Sequence, residues 1–400
     1  MPRETQLTHG PGGRILANVH VWSPDGEWIA YDTRSDSAGD RFDGTRIEVV
    51  NANTQEVRVL YESKNGANCG VVTWHPHKLQ VAFIHGPEHP TPDWNYGPSR
   101  RQGVLVDFDT PGIAINLDAR NLVAPYTPGA LRGGSHVHVW HPNGELLSFT
   151  YDDQILTERG SNQRNVGVCS IAKSVTVPKT HPRNHDGCAF SAVVTQTVAE
   201  PKPGSNEISR ACEEAWIGST RSLAFQGHVR TLADETISEV FAVDLPNDLS
   251  DTRGTVQRRL TDTTTHEYPG IQGPRHWLRS SPDGSRIGFL KKDDAGVVQF
   301  WTVAFGGGPP VQITRNPHPV ASAFTWHPDG ERVAFVMDDS LCLTDVLTGT
   351  TTRLTPRSDE SLGPRPEACA FSPTGDRVAF VRRLPDAAGF HNQICVVTAD

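Results

Sequence analysis

An all-β fold follows from three features of this 400-residue sequence. First, one phrase recurs six times: an aromatic residue or serine, then X-Pro, usually a polar residue with Gly, then an apolar run. It reads WSPDGEWIAY at 22–31, WHPHKLQVAF at 74–83, WHPNGELLSF at 140–149, SSPDGSRIGF at 280–289, WHPDGERVAF at 326–335 and FSPTGDRVAF at 371–380. Second, 36 Gly and 30 Pro supply turns throughout, whereas long amphipathic helical patterns are missing. Third, Val, Thr, Phe and Trp crowd the segments around each phrase, which favours strands. Strand–turn–strand units at a period of this size cannot bury their faces alone and stack radially. The prediction is a seven-bladed β-propeller forming a single domain over residues 1–400.

The blade count comes from spacing. The turn prolines stand at 24, 76, 142, 282, 328 and 373, so the gaps are 52, 66, 140, 46 and 45 residues. The long gap holds two units and places an irregular fourth blade at about 160–265, with strands expected at 188–198, 221–229 and 237–245. Units end on phrases such as RRLT at 258–261, VQIT at 311–314 and TRLT at 352–355, and the chain begins with TQLT at 5–8. Residues 4–8 are therefore expected to supply the outer strand of the last blade and close the ring, removing a sheet edge. Within the phrase, Pro presets φ and Gly takes the positive-φ position. Trp22, Trp74, Trp140, Trp326 and Phe371 are read as packing between blades, and Asp25, Asp283 and Asp329 as turn residues.

Composition narrows the function. A net charge of −9 without runs of Lys or Arg argues against a nucleic-acid partner. No stretch approaches 18 apolar residues, so no membrane span is expected. MPRETQLTHG lacks the apolar core of a signal peptide, so a cytoplasmic location is expected. Seven cysteines, an odd number without a CxxC pair, read as reduced thiols. The GxSxG, P-loop and HExxH motifs are missing.

Site candidates come from where the repeats differ, ahead of each aromatic residue. His136 and His138 form His-X-His on an expected strand, where alternate residues share a face. They either bind a divalent metal (Mn, Zn or Ca), with His276 as third ligand, or pack as hydrogen-bonded histidines. His20 and Arg132 are expected to contact substrate, and Arg275 to fix a carboxylate. The excursion at 84–103 carries His85, a candidate base, and Glu88, a substrate contact; a plain surface loop is the other reading. SRACEEAWIG at 209–218 is read as a short helix bearing Glu213 and Glu214 beside Trp216, a stacking platform, or else as a solvated turn. HEYPG at 266–270 offers His266 as another base.

These segments resemble known families. The generic phrase with its QLT partner is similar to the TolB propeller. NVHVWSPDGEWIAYD, FIHGPEHP, APYTPGALRGGSHVHVWHPNGELLSFTYDD, ACEEAWIG and YPGIQGPRHW resemble the TolB-like bacterial family typified by YidR. A more distant likeness is to oligogalacturonate lyases, in which histidines and a glutamine hold a divalent metal, often manganese, and a proton is removed beside a uronate carboxylate. His136-Val137-His138 resembles that family's ligand pair, and His85-Gly86-Pro87-Glu88 resembles its HEGP segment. Gly133 stands where its glutamine ligand would be. The resemblance implies a metal-dependent lyase or isomerase acting on a small acidic or oxidised sugar at the channel mouth. Two alternatives stand beside it: a non-catalytic TolB-like propeller binding a protein or peptide, and a metal-independent glycoside hydrolase using Glu213, Glu214, Glu88 or Glu267.

Overall fold

Pro-Gly phrases fold as tight turns in the computed structural model, which describes residues 3–161, 163–274, 277–359, 362–367, 369–387 and 389–399. Gly26, Gly144, Gly284, Gly330 and Gly375 all have φ between +70° and +80°. The amide of each bonds the carbonyl three residues back, as Gly26 does to Ser23 and Gly330 to His327, both at 2.9 Å. Only glycine takes this conformation without strain, so each turn reverses the chain cleanly and sets the register of the strands it joins.

Those turns generate a series of antiparallel sheets. Gly13–Ile15, Trp28–Arg34, Arg46–Asn51 and Val57–Glu62 form one; Cys69–Trp74, Gln80–His85, Gln102–Asp107 and Ile115–Asn116 form the next. Gly133–Trp140, Leu146–Asp153, Arg164–Ser170 and Phe190–Val193 pair in turn. A single parallel bridge, Arg164 to Arg210, joins them to Ile208–Trp216, Ser222–Arg230, Thr236–Asp244 and Gln257–Arg259. Two further four-stranded sheets run from Arg279 to Gln312 and from Thr325 to Arg353. Ala370–Phe371, Arg377–Asp386 and Gly389–Thr398 make the last sheet with Glu4–Gln6, which pairs antiparallel to Gly389–Thr398, Glu4 opposite Val397 and Gln6 opposite Cys395. The one α-helix among the described residues is the five-residue Gln154–Glu158, capped by the Asp153 carboxylate accepting from the Leu156 amide.

The repeated phrase also ties neighbouring sheets together. Trp216 Nε1 donates to Val139 O and Trp22 Nε1 to Ala370 O, both at 2.9 Å, and Trp326 Nε1 to Arg279 O at 3.1 Å. Each acceptor immediately precedes the aromatic position of the adjoining sheet. The histidines of the WHP copies reach the other way: His75 to Gly144 O, His141 to Thr220 O and His327 to Gly375 O, at 3.1–3.2 Å. Their rings lie against Trp140, Trp216 and Phe371. The first and last sheets join through the same Trp contact and share a core of Leu7, Trp22, Ile29, Tyr31, Ala379 and Val396.

One expected element differs. Residues 209–218 are not a helix; Ile208–Trp216 is a strand paired to Ser222–Arg230. The alternation of Ile208, Ala211, Cys212, Glu214 and Trp216 is interrupted by inserted residues, which disguises its period in the sequence.

Candidate active site

The first strand of three successive sheets carries one extra residue at the same place. Register slips between Gly70 and Thr73, between His136 and Val139, and between Cys212 and Ala215. Val71, Val137 and Glu213 take the left-handed conformation there, at φ +59°, +55° and +54°. Such a bulge re-aims the side chains beyond it and is common beside functional sites.

This bulge separates the two histidines of His-X-His. The His138 ring is buried against Ser135 Oγ at 3.0 Å, and that hydroxyl donates to Asp118 Oδ1 at 2.8 Å. Burial lowers the His138 pKa to about 3. His136 Nδ1 lies 3.7 Å from Asp152 Oδ2, which also holds Arg164. Burial and the neighbouring Arg101, Arg164, His138 and Arg210 keep His136 neutral. Among the described residues no group of three or more His, Cys, Asp or Glu side chains is placed to hold a metal ion. His276, the third member of the donor set expected from the sequence, and Arg275 lie outside the described residues.

Beyond the bulge of Ile208–Trp216, Glu214 belongs to a different cluster. A cavity of about 580 Å³ lies between the turn ends of the sheets, lined by Trp22, Trp74, Trp140, Trp216, Trp326 and Phe371 among others. His20, His75, His77, Glu214 and Arg279 bring titratable groups to its wall, with His75 and His77 committed to Gly144 O and Pro142 O. Glu214 is 2% exposed. Its Oε2 accepts from Thr150 Oγ1 at 2.8 Å, while Oε1 is buried with no hydrogen-bond partner. Burial raises its pKa to about 7, with the neighbouring Glu213 acting in the same direction. The Arg279 guanidinium donates to Leu278 O at 2.6 Å and lies 5.0 Å from the Trp277 ring. Enclosure lowers its pKa to about 10, opposed by Glu213 and Glu214, so it stays a cation. His20 is exposed to the cavity yet surrounded by protein; that enclosure and Arg279 lower its pKa to about 4, leaving a neutral imidazole.

The remaining candidates divide. Trp216 reaches the cavity, but its indole is committed to Val139 O and His141. Arg132 is held by Asp153 at 2.5 Å and lies over Tyr126. His85 accepts from Tyr61 Oη at Nε2 and contacts Gly86 O through Nδ1, at 2.9 and 2.7 Å. It lines a second, outer pocket with Glu88. His266 sits in a loop with its ring 6.5 Å from Trp301.

The chain is 43% identical to the uncharacterized protein YidR of Escherichia coli (strain K12) over 398 residues, covering 94% of each chain. It belongs to the YidR family. Residues 68–185 also match the family described as "Protein of unknown function (DUF3748)". Among solved structures, an oligogalacturonate lyase in complex with manganese superposes with a TM-score of 0.63 at 14% identity, covering 99% of this chain and 93% of that one. The oligogalacturonate lyase of Vibrio parahaemolyticus gives 0.57 at 12% identity, covering 100% and 94%. At these identities the likeness is one of fold, and it makes this YidR relative all-β and propeller-like.

Arg279 was not among the sequence candidates, although the repeats single it out. Aligned on the aromatic residue, its position is Val21, Thr73, Val139, Ala215, Thr325 and Ala370 elsewhere. A guanidinium among small and apolar side chains is the signal. Glu214 aligns with His20, Val72, His138, Leu278, Phe324 and Cys369.

Proposed function

We propose that this chain is an enzyme that removes a proton from an acidic or oxidised sugar bound in the central cavity, with β-elimination as the reaction. The carrying observation is Glu214: a buried carboxyl with one unpartnered oxygen and a pKa near 7, on a cavity wall shared with Arg279 and His20. A group titrating near the working pH both takes and returns protons. Arg279 supplies a desolvated cation for a sugar carboxylate, and pairing that carboxylate acidifies the adjacent C–H. His20, neutral, accepts from or donates to a ring hydroxyl.

In the proposed step, ionised Glu214 takes the proton on the carbon bearing the carboxylate. That electron pair forms the double bond to the neighbouring carbon, whose C–O bond breaks. The leaving oxygen takes a proton from water in the cavity. The manganese in the oligogalacturonate lyase structure belongs to that protein.

We further propose that the sheets form one domain of seven blades in a closed ring. Pairing of Glu4–Gln6 with Gly389–Thr398 and the Trp22–Ala370 contact support closure.

The test is incubation with oligogalacturonides and with their neutral galactose counterparts, following the ultraviolet absorbance of the unsaturated product. Turnover of the acidic series alone is expected, with Arg279→Gln raising KM. If no acidic sugar yields unsaturated product, the lyase reading fails and a non-catalytic propeller is the better account.

A further inference from the structure

The excursion after Gln80–His85 leaves a pocket of about 410 Å³ that shares no lining residue with the central cavity. It lies among outer strands, beside Tyr61 and Asn116, and is closed by the segment around residue 183. Arg183 ties the two walls together: its Nη1 donates to Glu88 O at 2.7 Å and its Nη2 to His89 O at 3.0 Å.

Two groups on this wall, Trp94 and His185, are buried with an unpartnered ring nitrogen, and a buried guanidinium, Arg120, stands beside them. Trp94 is 9% exposed and its Nε1 has no partner. Arg120 is 2% exposed; its Nε donates to Gly133 O and its Nη2 to Arg101 O. His185 Nε2 is buried and unpartnered, on a ring kept neutral by its surroundings. The guanidiniums of Arg100, Arg120 and Arg183 lie 5.1, 5.9 and 5.6 Å from the Trp94 ring centroid. Asp118 offsets part of the Arg120 charge, which leaves the guanidiniums of Arg100 and Arg183. Glu88 is exposed and takes Asn65 at 3.2 Å. Asp118 spends Oδ1 on the Gly103 amide and the Ser135 hydroxyl.

Buried donors without acceptors are costly, and a concentration of positive charge around them calls for an anion. We propose that this outer pocket binds the oxyanion of a small molecule, a carboxylate or a phosphate, through Trp94 Nε1, Arg120 and His185. Its volume suits a single sugar-sized ligand. The assignment goes beyond the reaction proposed for the central cavity and does not depend on it.

The test titrates the full-length Arg279→Gln chain, which lacks the central carboxylate anchor, with sodium galacturonate, inorganic phosphate and galactose in a calorimeter. Saturable binding of galacturonate or of phosphate is expected, with none for galactose; which anion binds identifies the source of the oxyanion. Trp94→Phe, which keeps the ring and removes the donor, and His185→Gln should each weaken binding about tenfold at an unchanged melting temperature. Should one variant fail to fold, the other still reports. Absence of binding by both anions, or undiminished affinity in the folded variants, overturns the proposal. Failure here would leave turnover in the central cavity untouched, and the converse also holds.

Discussion

Glu214 links the chemistry of the cavity to the stability of the fold. Its pKa rises from 4.5 to about 7, so the folded state holds a proton that the unfolded chain has already released. The stability contributed is full below pH 4.5 and is lost as pH rises through about 7. His20, lowered from 6.5 to about 4, acts oppositely: the unfolded chain binds a proton first as pH falls, so stability declines below pH 6.5. The contribution of Glu214 must therefore be read as a difference. Thermal melting of wild type and Glu214→Gln between pH 4.5 and 7.5 (chosen to span about half a unit beyond the titration) should show the wild type losing its advantage over the variant as pH rises. A constant gap across that range would mean that Glu214 titrates normally. At this scale the sequence was only partly legible. His20 and Trp216 reach the cavity as substrate-contact candidates, and alignment of the repeats isolates Arg279. The fate of His138 was not legible, because its partners Ser135 and Asp118 come together only after the strand has bulged.

Elements are joined by the aromatic ladder, and its rungs are unequal. Trp22, Trp216 and Trp326 donate to the neighbouring sheet, whereas Nε1 of Trp74 and of Trp140 is buried without a partner. Replacement by Phe removes similar volume at each site but a hydrogen bond only at the first three. Trp216→Phe should cost about 1 kcal/mol more than Trp74→Phe in urea unfolding. Equal losses would show that packing alone carries the ladder. The turns were readable because Pro and Gly announce their own conformations. The bulges were not, since Val71 and Val137 are β-branched residues at φ +59° and +55°, where sequence preference points elsewhere. Strict two-residue alternation placed His136 and His138 on one face. After the inserted residue His138 meets Ser135, and at the aligned position of the other bulged strand Glu214 lines the cavity.

Across the whole molecule, the chain ends are structural. Leu7 is 1% exposed, Thr8 Oγ1 donates to Gln393 Oε1 at 2.8 Å, and Arg382 pairs with Glu4 at 2.9 Å. Deleting residues 1–10 should lower the melting temperature of the entire protein in one transition, because a core shared by the first and last sheets is opened. Loss of signal confined to a local early transition would assign the segment to a dispensable tail. The pairing of this strand with the last sheet was legible in the QLT repeat, since it completes a unit that the C-terminus leaves short. The candidate site was less legible, because the cavity gathers His20, Glu214 and Arg279 from sheets distant in sequence. The most direct measurement is the pH dependence of β-elimination on an oligogalacturonide by wild type and by Glu214→Gln. The wild-type rate should climb with ionisation of a group near pH 7, and the variant should lose that limb together with about 100-fold of the rate or more. A variant that turns over at the wild-type rate with the same profile would contradict a catalytic role for Glu214.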